Sequence, residues 1–146
     1  FLQTWIRWMA EHGPADGNRV ASLAQVYKVP PSAELRPPEK HQTDEADLMP
    51  YSVLDAIERA FIRDRKAPLE ILSLLKIHFP QFPPEMLRNW MSRFLRLWAQ
   101  NQWKRERYAP AFHLDDESLD PKTWCRFPIL SNGFIDEIED IKNWNP

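Results

Sequence analysis

The feature that most constrains this chain is an imbalance between its two backbone-shaping residues: fourteen prolines against three glycines in 146 residues. Nucleotide-binding α/β folds place glycine in their strand-to-helix turns, so so little glycine argues against that architecture within the chain. Proline at the first turn of a helix removes an N–H that has no intrahelical partner. Pro50, Pro68 and Pro84 each precede or open an apolar periodic stretch in this way. Val53, Leu54, Ile57, Ala60 and Phe61 fall on one helical face, as do Leu87, Trp90, Met91, Phe94, Leu97 and Trp98. No alternating strand pattern stands out. The chain reads as mainly α, with helices expected near 1–12, 19–28, 50–64, 68–78, 84–106 and 133–143. Asn18, Ser131 and Asn132 are expected as N-caps.

Composition narrows the class further. A hydrophobic content of 43% suits one modest core, and a net charge of −2 argues against a surface built throughout for nucleic acid. A single cysteine, Cys125, excludes an intramolecular disulfide. Histidines 12, 41, 78 and 113 show no metal-ligand spacing. No apolar run approaches the roughly 18 to 20 residues that span a bilayer, so no membrane partner is expected and the cytoplasm is the expected location. Because Phe1 stands where a methionine would and Leu2, Trp5, Ile6 and Met9 are already in helical register, a truncated chain is expected.

Two stretches escape regular periodicity. Residues 29–49, rich in proline and carboxylates, read as a long loop, and loops of that length in compact domains tend to be lids or binding loops. Residues 107–132 carry aromatic residues at intervals and are expected to wrap back over the helices. From the residues alone, the first stretch also reads as a proline-stiffened connector, with Thr43 capping the following turn and Asp44 and Glu45 favoured near a helix N-terminus. The Trp and Met stripe at 86–98 reads as packed core rather than a cofactor groove. His41 and Cys125 have no partner at a catalytic spacing, and read as a solvated loop histidine and a small buried hydrophobe.

The order Pro30-Pro31-Ser32-Ala33-Glu34-Leu35-Arg36-Pro37, a short spacer, then Gln42-Thr43-Asp44-Glu45 resembles the glutamine-dependent NAD synthetases. The resemblance runs from Phe1 to about Leu130. It implies that residues 29–49 cover the active site once ATP and deamido-NAD are in place, with Ser32 contacting ATP. It also implies substrate-binding roles for Thr43, Asp44 and Glu45. Holding magnesium (Mg2+), orienting a ribose hydroxyl and pairing with cations are unranked alternatives for Glu34, Asp44, Glu45 and Asp47. A lid suits the chemistry, because an adenylated carboxylate is a mixed anhydride that water would destroy.

Trp103-Lys104-Arg105-Glu106-Arg107-Tyr108-Ala109-Pro110 carries the second part of the resemblance. A lysine six residues before a proline contacts deamido-NAD in that family, and Lys104 and Pro110 match the spacing. A lysine at a helix end is a movable cation that can reach a diphosphate. The alternative is that Lys104, Arg105 and Arg107 satisfy the last carbonyls of the helix and its negative end, which is the favoured reading for Arg105 and Arg107. Pro110-Ala111-Phe112-His113 resembles the long, glutaminase-fused form. Leu48-Met49-Pro50-Tyr51 resembles the family's turn into the next helix but lacks the glycine usual before Met-Pro.

The family's pyrophosphate loop, close to SGGxDS, does not occur in this sequence, nor do the synthetase's magnesium-binding glutamate and the glutaminase's cysteine, glutamate and lysine. The resemblance therefore implies a chain that forms the C-terminal portion of a synthetase domain. Its parts would be the covering loop at 29–49, helices at 50–106 and a tail at 107–146. The parent would be an adenine nucleotide alpha hydrolase-like α/β domain with its parallel sheet upstream. The implied partners are deamido-NAD, ATP, glutamine-derived ammonia, the rest of the parent and further copies in a homo-oligomer. The competing reading is a non-enzymatic helical module binding a protein or single-stranded nucleic acid through its basic helix end and tryptophans.

Overall fold

A computed structural model of the chain describes residues 2–14, 17–29, 43–107 and 116–145. Every regular element among them is helical: α1 Leu2–His12, α2 Leu23–Lys28, α3 Asp44–Asp47, α4 Tyr51–Glu58 running into a π-helical turn Arg59–Arg63, α5 Pro68–His78, α6 Pro84–Gln100, α7 Gln102–Arg107 and α8 Ile135–Asn143. The chain divides into two compact units, Phe1–Asp47 and Leu48–Pro146.

In the first unit α1 and α2 pack on each other without burying a side chain of either. Their connection depends on Gly13, at φ 78°, whose N–H bonds to Met9 O at 3.0 Å and ends α1. A Cβ at this position would lie 2.1 Å from Asn18 O, so no other residue fits. Helix α2 starts later than its expected bounds, with Ser22 rather than Asn18 in the N-cap position.

The second unit holds the core. Val53 and Ile57 of α4, Ile71, Leu72 and Leu75 of α5, Leu87, Met91 and Leu95 of α6, and Ile141 of α8 are almost wholly out of solvent. These are the positions that 3.6-residue periodicity selects, and both expected stripes, on α4 and on α6, face this core. Pro68 and Pro84 occupy first-turn positions and Pro50 the N-cap of α4. The Glu70 carboxylate accepts the Ala67 N–H at 2.8 Å, tying the start of α5.

Local geometry departs from the even periodicity at three places. The extra residue in the π-helical turn brings Ile62 into the interior beside Ala60, which a continuous α-helix over 50–64 would not do. That turn ends at Arg65, which takes φ 52° while the Lys66 N–H bonds back to Ala60 O at 2.9 Å. Left-handed backbone costs a side-chain-bearing residue about 1 kcal/mol or more relative to glycine. Phe134, at φ 60°, precedes α8 in the same conformation, with its ring stacked on Phe127 at 5.4 Å. Ser131 and Asn132 are not caps of α8: they accept the Gly133 and Phe134 N–H groups and shape the turn before it.

The described part of the second irregular stretch does lie over the helices. Asp120 is buried, accepting the Lys122 N–H at 3.0 Å and the Thr123 hydroxyl at 2.8 Å, while its carbonyl accepts the N–H groups of Trp124 and Cys125. This knot sets Trp124, Cys125 and Phe127 against the core. Cys125 is half-buried rather than fully buried.

Candidate functional site

The element that carries Lys104 exists because α6 stops. Asn101 donates its side-chain Nδ2 to Leu97 O at 2.9 Å and its backbone N–H to the same oxygen at 3.0 Å, closing the helix. Its own carbonyl then accepts the Lys104 N–H at 3.0 Å and opens α7. The long helix expected over 84–106 is therefore two, and Lys104 lies on the short second one.

Helix α7 is anchored by its inward residues. Gln102 is fully buried; its Oε1 accepts from Arg105 Nε at 3.0 Å and Nη2 at 2.6 Å, and its Nε2 donates to Glu106 Oε1 at 3.0 Å. Arg105 Nη2 also donates to Trp98 O, and its guanidinium carbon stands 3.9 Å from the centre of the Trp98 ring. Burial lowers the Arg105 pKa, an effect that Cys125 and Glu106 partly oppose. Arg105 thus satisfies a carbonyl near the end of α6 and fixes α7, the role favoured for it on sequence grounds.

The outward face is different in kind. Trp103 is 48% exposed, and its ring lies 5.8 Å from Lys104 Nζ and 5.7 Å from Arg107 Cζ. Both cations are exposed, and the contacts are near the outer limit of about 6 Å at which a ring face attracts a cation. An indole flanked by two solvent-facing cations can meet a ligand that combines a ring with phosphates.

Thr43 immediately precedes α3, and Asp44 and Glu45 open it, in the first unit. The Thr43 hydroxyl accepts the Ala46 N–H at 3.2 Å, and its carbonyl the Asp47 N–H at 3.2 Å, so Thr43 caps this turn. Asp44, Glu45 and Asp47 supply acidic side chains at its start, where the helix dipole favours them. Among the described residues no group of three His, Cys, Asp or Glu side chains is placed to hold a metal ion, so no magnesium cage is assigned to them. Ser32, Glu34, His41 and His113 lie outside the described residues.

Sequence reading misses one titratable group. Glu58, at the end of α4, lines a largely apolar hollow of about 260 Å3 with Met49, Leu54, Phe94 and Leu97. Burial, then the nearby charges of Asp55 and Glu117, push its carboxyl up to about 7. The signal is present in the sequence, since Glu58 stands four residues after Leu54 and three before Phe61 on the apolar side of the helix.

Cations displayed beside an exposed ring at a helix end form a surface chemically suited to anionic, ring-bearing ligands. Comparison with known proteins is more specific: the chain belongs to the NAD synthase family, whose model matches residues 18–107. It is 37% identical over 132 residues to the glutamine-dependent NAD(+) synthetase of Aquifex aeolicus (strain VF5), covering 90% of this chain and 20% of that protein. It also resembles the crystal structure of a glutamine-dependent NAD(+) synthetase from Cytophaga hutchinsonii, with a TM-score of 0.72 and 38% identity, over 97% of this chain and 20% of that one. The chain spans about a fifth of the length of these relatives.

Proposed function

We propose that this chain is the C-terminal portion of the synthetase domain of a glutamine-dependent NAD synthetase, an ATP-dependent amide-forming ligase acting on deamido-NAD. In that reaction the nicotinate carboxylate attacks the α-phosphorus of ATP, pyrophosphate leaves, and a carboxyl adenylate forms. Ammonia released from glutamine then attacks the carbonyl carbon, giving the amide of NAD and AMP. ATP is a co-substrate and Mg2+ its expected companion. The catalytic loop for pyrophosphate belongs to the remaining four fifths of such a protein, in a parent domain of α/β type with a parallel sheet.

In this reading residues 29–49 cover the substrates, with Ser32 toward ATP and Thr43, Asp44 and Glu45 toward deamido-NAD. Lys104 supplies a cation to the diphosphate of deamido-NAD. One observation carries it: the family match at 18–107 contains both the covering loop and Lys104. The exposed Leu2, Trp5, Trp8, Val26, Tyr27 and Val29 of the first unit supply apolar surface for the rest of the parent or a further copy to cover.

Substitution of Lys104 by Ala in the full-length protein tests the assignment. We expect KM for deamido-NAD to rise about tenfold or more, as for one lost charge-assisted contact, with KM for ATP changed much less. Equal changes for both substrates, or none, would remove Lys104 from the site. The 146-residue chain alone, given ATP, deamido-NAD and ammonia, should form no NAD above background, and turnover there would overturn the assignment of the chemistry to the rest of the protein.

A further inference from the structure

A separate hollow of about 310 Å3 opens in the second unit where the π-helical turn meets the Asp120 knot; its lining includes Phe61, Trp124, Phe127, Arg65, Arg126 and Cys125. Its charges are unbalanced. No carboxylate is among its described lining residues, and neither arginine forms an ion pair among the described residues. The neighbouring Arg59 and Arg63 differ, being tied to Glu117 and Asp64. Glu106 lines an adjoining hollow together with Lys122 and Arg126. Burial raises the pKa of the Cys125 thiol while Arg105 and Arg65 pull it back, so positive potential reaches the interior of this region.

Arg65 supplies the second observation. At φ 52° it occupies a place that glycine fills at lower cost, and its side chain is exposed. The other side-chain-bearing residue in that conformation, Phe134, has ring packing to hold it. Retained backbone strain without local packing points to a use for the side chain itself.

We propose that this hollow binds a small planar aromatic carboxylate, its ring among Phe61, Trp124 and Phe127 and its carboxylate on Arg65 and Arg126. Aromatic walls favour a ring, and a guanidinium pair without counter-charge favours a planar oxyanion that can accept bidentate hydrogen bonds. The volume lies at the lower end of the roughly 300 to 1,000 Å3 of small-molecule sites, which fits one or two rings rather than a dinucleotide. This inference is independent of the ligase assignment and of Lys104.

The test is titration of the intact chain with benzoate, benzamide, inorganic phosphate and AMP, following the NMR signals of Arg65, Trp124 and Cys125. Benzoate should shift them saturably, and benzamide, the same shape without charge, should bind at least about tenfold more weakly. Phosphate should not saturate, and AMP should bind more weakly than benzoate. Arg126→Ala should weaken benzoate binding about fivefold or more, and so should Arg65→Gly, while Arg65→Gly leaves the thermal midpoint unchanged or raised because the backbone strain is relieved. Equal affinity for benzoate and benzamide, no saturable benzoate shift, or wild-type binding by Arg65→Gly would overturn the proposal. Tighter binding of AMP than of benzoate would overturn the ligand class in favour of a nucleotide.

Discussion

Glu58 shows how burial turns an ordinary side chain into a pH-dependent one. Its carboxyl is raised from 4.5 to about 7 in the folded chain, so between those values the folded state holds a proton that the unfolded state has lost. The contribution to stability is complete below about pH 4.5 and disappears as pH rises through about 7, amounting to as much as about 3 kcal/mol across the window. Glu58→Gln should remove this dependence, so that urea denaturation shows the variant gaining on wild type between pH 5 and about 8. Asp55→Asn should shift the same transition to lower pH by removing a like charge. A variant whose stability tracks wild type across the whole range would show that Glu58 is solvated. The identity of Glu58 was visible in the sequence and its register was too. Its surroundings were not, because the hollow is made by Met49, Phe94 and Leu97 from other parts of the chain.

At the scale of elements, the two helix ends of greatest interest differ in how they are written. Gly13 closes α1 through a conformation and a clearance that only glycine provides. Gly13→Ala should therefore destabilise the α1–α2 pair by roughly 2 kcal/mol or more, read as loss of helical circular dichroism and faster amide exchange over residues 2–28. Unchanged exchange there would show that the turn can rearrange around a methyl group. The core stripes of α4 and α6 and the proline starts of α5 and α6 were legible because they depend on local period and local sterics. The π-helical turn and the break at Asn101 were not, since each inserts a change of register into a run whose apolar pattern continues through it. The candidate site was less legible than the core. The contacts to deamido-NAD expected of Lys104 and Thr43 come from the family resemblance, whereas the division of labour within Trp103-Lys104-Arg105 follows from Gln102 and Trp98, which no local pattern singles out.

Across the whole molecule, buried apolar contacts are unevenly shared. Every residue of the core cluster lies between Met49 and Ile141, in the second unit, and none of the side chains of α1 or α2 is buried. A single unfolding free energy consequently does not describe the chain, and its two units should be followed by separate probes. The chain belongs to the NAD synthase family and spans about a fifth of the length of its relatives.

The break at Asn101 separates the hydrogen-bond ladder of α7 from that of α6. The six residues of α7 are held by the Gln102 amide, the Arg105 guanidinium and the Asn101 carbonyl, so their stability is a local quantity, distinct from that of the core. Amide protons at 104–107 should accordingly exchange at least about tenfold faster than those in the middle of α6, and Gln102→Ala should widen the gap with little change in the thermal midpoint of the core. Similar protection along α6 and α7 would show that the break does not separate the two helices energetically.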